Sequence, residues 1–222
     1  MSGSSAVDML TILHGRVLTR DRLDASGRPH VISGQGCDGF ESVTWSSTGH
    51  RAYLRADYTC VGGTKGTSRT VLALSPTGDW LNVAEVQSGG GSIVSVDRRR
   101  DVGPGSDVPP DVARAAGRQQ LAVTTARAAA AAPITPEEII DALHNLDAPV
   151  IRSWLAASDQ RFVFDQHQLL ALARAGAPPS VMQTVMSTPG RYQDSLRMGD
   201  RSADAYLSTP LYNPQMAAEA MM

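Results

Sequence analysis

Cys37 and Cys60 are the chain's only cysteines, and the chemistry open to them is oxidation to a disulfide or service as thiolates. The histidines His14, His30, His50, His144 and His167 are scattered. None forms a helical pair four residues apart, and no Cys-x-x-Cys is present, so the spacing offers no zinc or haem set. Serines abound without a Gly-x-Ser-x-Gly elbow, and no Gly-x-Gly-x-x-Gly leads from a strand into a helix. "CVGGTKGTS" lacks the Gly-Lys-Ser/Thr ending and the following helix of a phosphate-binding loop, and reads as a flexible inter-strand loop. Glu137, Glu138 and Asp141 cluster at an expected helix start, where they complement the helix dipole. The pattern names no catalytic residue, no metal and no cofactor. The chemical question narrows to whether Cys37 and Cys60 meet.

The elements that would position them are strands. "ESVTWSS", Glu41 to Ser47, and "RAYLRADYT", Arg51 to Thr59, both alternate and are rich in β-branched or aromatic residues. A two-residue turn at Thr48-Gly49 sets Trp45 opposite Ala52 and Val43 opposite Leu54, four residues sharing one face. The same register places Cys37 opposite Cys60 at the open end. Strict counting makes this a hydrogen-bonded pair, the less accommodating geometry for a disulfide, unless a bulge at Gly36 or Gly39 changes the parity. A disulfide implies an oxidising compartment; the alternative is two reduced thiols in a cytosolic protein.

"SRTVLALSPTGDWLNVAEV" holds a second hairpin, Thr70 to Ser75 and Trp80 to Val86, around a turn of Pro76, Thr77, Gly78 and Asp79. After Gly89 to Gly91, "SIVSVD" reads as a fifth strand. An antiparallel meander therefore runs from about Phe40 to Arg98, with "LTILHGRVLT" and "PHVIS" available to add strands. It forms a small sheet or a partly closed barrel, and Trp45, Val43 and Leu54 are expected to point into its core. Arg98 to Arg100 read as a solvated strand end.

Residues 99–133 turn Gly-, Pro- and then Ala-rich and read as a linker in which Asp111 to Ala132 has helix propensity. Beyond it the sequence repeats at an offset of 30: Thr135 matches Asp165, Glu138 Gln168, Ile139-Ile140 Leu169-Leu170, Pro149 Pro179, Ile151 Val181 and Leu155 Val185. Thr135 and Asp165 are N-caps whose boxes close with Glu138 and Gln168. Pro136 takes a first-turn position, Pro149 and Pro179 open the second helices, and Gly176 stops a predecessor. Trp154, Phe162 and Phe164 are expected in the core. The fold class is thus α+β: an N-terminal antiparallel β-meander followed by a C-terminal four-helix unit of two repeated helical hairpins and an extended tail. The organisation is a β domain over 1–98, a linker with an Ala-rich helix over 99–133, a helical repeat domain over 134–188 and a C-terminal arm over 189–222.

In "QLLALARAGAPPSVMQTVM" and "EIIDALHNLDAPVIRSWL" this half resembles paired helical segments of uncharacterised exported bacterial proteins, which carry no assigned activity. As a whole the chain is similar to accessory subunits of bacterial photosynthetic reaction-centre and light-harvesting complexes, and that resemblance implies protein subunits as partners. A DNA-reading helix-turn-helix is disfavoured, because Ala148 to Ala157 offers one arginine and Pro179 to Thr188 none.

The tail spaces Tyr192, Tyr206, Leu207, Leu211, Tyr212, Met221 and Met222 among turn residues, a pattern suited to an arm that orders along a partner. A formal charge of −2 gives no field favouring nucleic acid or an anionic membrane. No run approaches the ~20 apolar residues of a membrane span, so the protein is expected to be peripheral to a membrane at most. The start lacks a secretory signal pattern, which conflicts with an exported disulfide. The expectation is a non-catalytic accessory subunit, periplasmic or alternatively cytoplasmic. A lipocalin-like β-cup for a small ligand is the other reading.

Overall fold

The register read from the sequence is the one the chain adopts. In the computed structural model, which describes residues 6–14, 16–34, 36–100, 108–118 and 120–187, strand β4 (Cys37–Trp45) pairs with β5 (Ala52–Cys60). Trp45 faces Ala52, Val43 faces Leu54 and Cys37 faces Cys60. The turn is wider than expected. Ser46 N–H donates to Arg51 O (2.8 Å) and Gly49 N–H to Ser46 O (2.8 Å), so the loop spans Ser47 to His50, with Gly49 at φ +73°. This shifts the hydrogen-bonding parity by one. Val61 N–H to Gly36 O (2.7 Å) follows the same alternation. Cys37 and Cys60 thus form a non-hydrogen-bonded pair, where side chains approach most closely. The turn alone resolves the geometric objection, without a bulge.

Four more strands join this pair: β3 (His30–Gly34), β6 (Lys65–Leu74), β7 (Trp80–Ser88) and β8 (Gly91–Arg99). All neighbours are antiparallel and the order is β3-β4-β5-β6-β7-β8, an open meander with β3 and β8 at its edges. Lys65 to Ser68, expected in a flexible loop, lie in β6; only Val61 to Thr64 form the turn. Strands β1 (Ala6–Leu13) and β2 (Arg16–Asp24) make a separate two-stranded sheet.

Among the described residues six helices follow: α1 (Pro110–Arg118), α2 (Gln120–Ala130), α3 (Pro136–Asn145), α4 (Ala148–Ala157), α5 (Gln166–Arg174) and α6 (Pro179–Ser187). The helical stretch expected over Asp111 to Ala132 holds α1 and α2, with residue 119 between them outside the described residues. Thr135 and Asp165 close capping boxes with Glu138 and Gln168, which fixes where α3 and α5 begin. Helix α4 packs against β6, β7 and β8 as well as α6.

Alternation along the strands gives the sheet two faces. One carries Tyr53, Val71, Ala73, Leu81 and Val83, which join Ile139, Ile151, Trp154, Leu155, Phe162, Leu172 and Val181 in one apolar cluster. Phe164 packs at its margin, its ring centroid 5.6 Å from that of Phe162. The opposite face carries Val43, Ala52, Leu54 and Leu72, covered at one end by Ala25 and Leu23. Trp45 is a correction. As the last residue of β4 it lies outside this cluster and is 44% exposed.

Candidate functional site

Two features set the site: the latch that holds helices to sheet, and the part of the sheet the helices leave bare.

The latch begins at the β4–β5 loop. Arg51 lies on the helix-bearing face, fully buried, with its guanidinium 5.7 Å from the centroid of the Trp154 ring. It donates to Ala130 O, Ala132 O and Glu138 Oε2, each at 3.2 Å. Burial pushes the Arg51 pKa down, while the Glu138 carboxylate pulls it back up. Glu138, 1% exposed, accepts four bonds. Oε1 takes the Thr48 hydroxyl and lies 3.1 Å from His50 Nδ1, and Oε2 takes Arg51 and the Thr135 N–H. Asp141, one turn on, accepts from Ser47 N–H. With every lone pair engaged, Glu138 serves as a fixed anchor.

The second hairpin loop repeats the design. Ser75 and Thr77 hydroxyls are 2.7 Å apart, as Ser46 and Thr48 are 3.2 Å apart, and Gly78 N–H donates to Ser75 O as Gly49 does to Ser46. Arg98 holds this loop through Asp79 Oδ2 (2.7 Å) and Thr77, and reaches Asp159 past the end of α4. The expected solvated strand end is therefore a tether. Both loops read Ser-x-Thr-Gly, a signal visible in the sequence that the hairpin reading passed over.

Helix cover reaches β5, where Arg55 donates to His144 O (3.1 Å) and Asn145 O (3.3 Å) at the end of α3. Beyond it, on β4 and β3, Phe40 and Val31 face each other across the strands and are 59% and 70% exposed. Asp38 accepts from Ser33 (2.5 Å), and His30 pairs with Glu41 (3.2 Å) on the other face. By the parity set at the loop, even-numbered β3 residues bond β4. The N–H and C=O of Val31 and Ser33 therefore point to the open edge. Near this end the Cys37–Cys60 disulfide ties β4 to β5. An apolar pair beside unpaired strand edge is suited to receiving an added strand.

The remaining expected contact residues, Tyr192, Tyr206, Leu207, Leu211, Tyr212, Met221 and Met222, lie outside the described residues. Among the described residues no three His, Cys, Asp or Glu side chains gather as a metal-holding group, and no helix is long and apolar enough to cross a membrane. Compared with known proteins, the chain matches no family model, no curated protein and no solved structure.

Proposed function

We propose that this protein is a non-catalytic interaction protein, an accessory subunit of a larger membrane-associated assembly. The observation that carries the reading is the bare β3–β4 third of the sheet, where Val31 and Phe40 stand exposed beside an edge of β3 that no described strand pairs. Its occupant is an extended segment of a partner protein, adding as a strand and placing an apolar side chain on Phe40. The disulfide suits an oxidising, exported location, and the periplasmic side of a membrane is the proposed setting. Helices α3–α4 and α5–α6 are read as two copies of one hairpin that stiffen the sheet beside the bare strands, on the same face. The C-terminal tyrosines and methionines extend the same contact.

The test is the native size of the protein in gently solubilised membranes of its source, with mass spectrometry of what co-migrates. Wild type is expected to run within a large complex, and Phe40→Ser to leave it without loss of fold. Migration of wild type alone, near 23.5 kDa, sinks the proposal.

A further inference from the structure

The sheet face opposite the helices carries a row of polar side chains with nothing to bond. Tyr58 Oη, Ser68 Oγ, Thr70 Oγ1, Asn82 Oδ1 and Trp80 Nε1 are all shut off from solvent and lack a hydrogen-bond partner among the described residues, as does His30 Nδ1. Strand pairing places them on one face. Ser68 and Thr70 are successive residues of that face on β6, and Asn82 and Trp80 are opposite Leu72 and Leu74 on β7. Tyr58 lies against Gly66, where an added Cβ would come within 2.4 Å of its ring. The row ends there.

Orphaned hydroxyls and amides inside a protein cost free energy, and native chains rarely leave several together. The cross-strand neighbours show the alternative: Ala56 and Val86 flank Ser68, and Leu54 and Ala84 flank Thr70. Alanine at 68 and valine at 70 would fill the same space with no unmet bond. Such local violations mark functional sites.

We infer that this row is a binding site for a neutral, elongated, mainly apolar small molecule bearing hydroxyl or carbonyl oxygens. The walls, Val43, Leu54, Leu72 and Val86, are aliphatic. The polar groups are hydroxyl, amide and indole, all neutral. The charged side chains on this face already have partners, Glu41 with His30 Nε2 (3.2 Å) and Asp97 with Arg99 (2.8 Å). The cover at the Trp80 end is Leu23 and Ala25, hung from β4 by Gly27 N–H to Val43 O (2.9 Å) and the Ser26–Thr44 bridge. Displacement of this segment admits the ligand.

The test uses all-trans-retinol as probe, titrated into the full-length oxidised protein and read by energy transfer from tryptophan. Saturable binding is expected. Ser68→Ala/Thr70→Val should weaken it about tenfold, the equivalent of one or two lost hydrogen bonds, while leaving the melting temperature equal or higher. Asn82→Leu provides a second variant with the same expectation. Phe40→Ser, on the other face, should bind as wild type. Absence of saturable binding, or wild-type affinity in both row variants, overturns the site. Loss of affinity only in step with loss of fold also overturns it, because the hydroxyls would then be structural.

Discussion

Replacement of Glu138 by alanine tests the latch most directly. The carboxylate is 1% exposed and accepts from Thr48, Arg51 and Thr135 and pairs with His50 Nδ1. Glu138→Ala leaves Arg51, itself without exposed surface, with two backbone carbonyls and the Trp154 ring but no counter-charge. Removing one member of a buried pair typically destabilises by about 3–5 kcal/mol, since the remaining charge is uncompensated. Glu138→Gln keeps a capping side chain and an acceptor, and should lose about 1–3 kcal/mol. Glu137→Ala is the control. It removes an exposed carboxylate from the same first turn, and only the dipole contribution, about 0.3–1 kcal/mol, is at stake. Urea denaturation followed by tryptophan fluorescence, without reductant, measures all three. A Glu138→Ala loss below about 1 kcal/mol, or one equal to that of Glu137→Ala, would refute the latch and leave only a helix-start carboxylate.

Alkylation without reductant should leave both cysteines unmodified by intact mass, and Cys37→Ser/Cys60→Ser should lower stability by about 3 kcal/mol for a loop with a sequence separation of 23; two alkylated cysteines contradict the bonded pair. Gly66→Ala forces a Cβ into the Tyr58 ring and should lose about 1–3 kcal/mol in denaturant melts, against no measurable change if the ring can slide away. Burial, with the Asp141 carboxylate adding to it, holds the Tyr53 phenol well above its ordinary value, and burial also raises Tyr58. The folded state therefore keeps its phenol protons where the unfolded chain, with tyrosine pKa near 10, begins to lose them. Stability is complete below about pH 10 and falls as pH rises past it. Melting temperatures from pH 8 to 11 should show that fall, and Tyr53→Phe should reduce it.

The β4–β5 pairing was legible because alternation and a countable loop fix register independently of anything distant. The loop's own form was not, since Ser46 Oγ and the turn at Gly49 compete with the two-residue alternative and only the sum of facing positions is preserved. Helix starts at Thr135 and Asp165 were legible because a capping box is a local bargain between residues three apart. The Arg51–Glu138 pair was not legible because its members are 87 residues apart: Glu138 reads as a capping-box carboxylate and Arg51 as an ordinary strand charge until the layers meet. Phe40 was visible only as the start of a strand. Its exposure depends on where α3 ends, at Asn145, and on how Arg55 holds that end through the carbonyls of His144 and Asn145. The Ser68–Thr70 row looks in sequence like the polar half of an alternating strand. Only the structure shows both faces of β6 to be buried.

The edge of β3 permits a sharper test of strand addition than loss of an apolar side chain. Val31 directs its N–H away from β4, whereas Ile32 directs its own toward Gly39. Proline at 31 therefore removes no ladder bond of the folded protein, and at 32 it removes one. Val31→Pro should melt close to wild type, and Ile32→Pro measurably lower. In the native-size assay Val31→Pro should still leave the large complex, because an incoming strand loses one of the two outward donors, those of Val31 and Ser33, and meets a ring in its place. Val31→Pro that co-migrates like wild type would remove strand addition as the mode of docking. The Phe40→Ser comparison would then decide whether the apolar pair alone holds the partner.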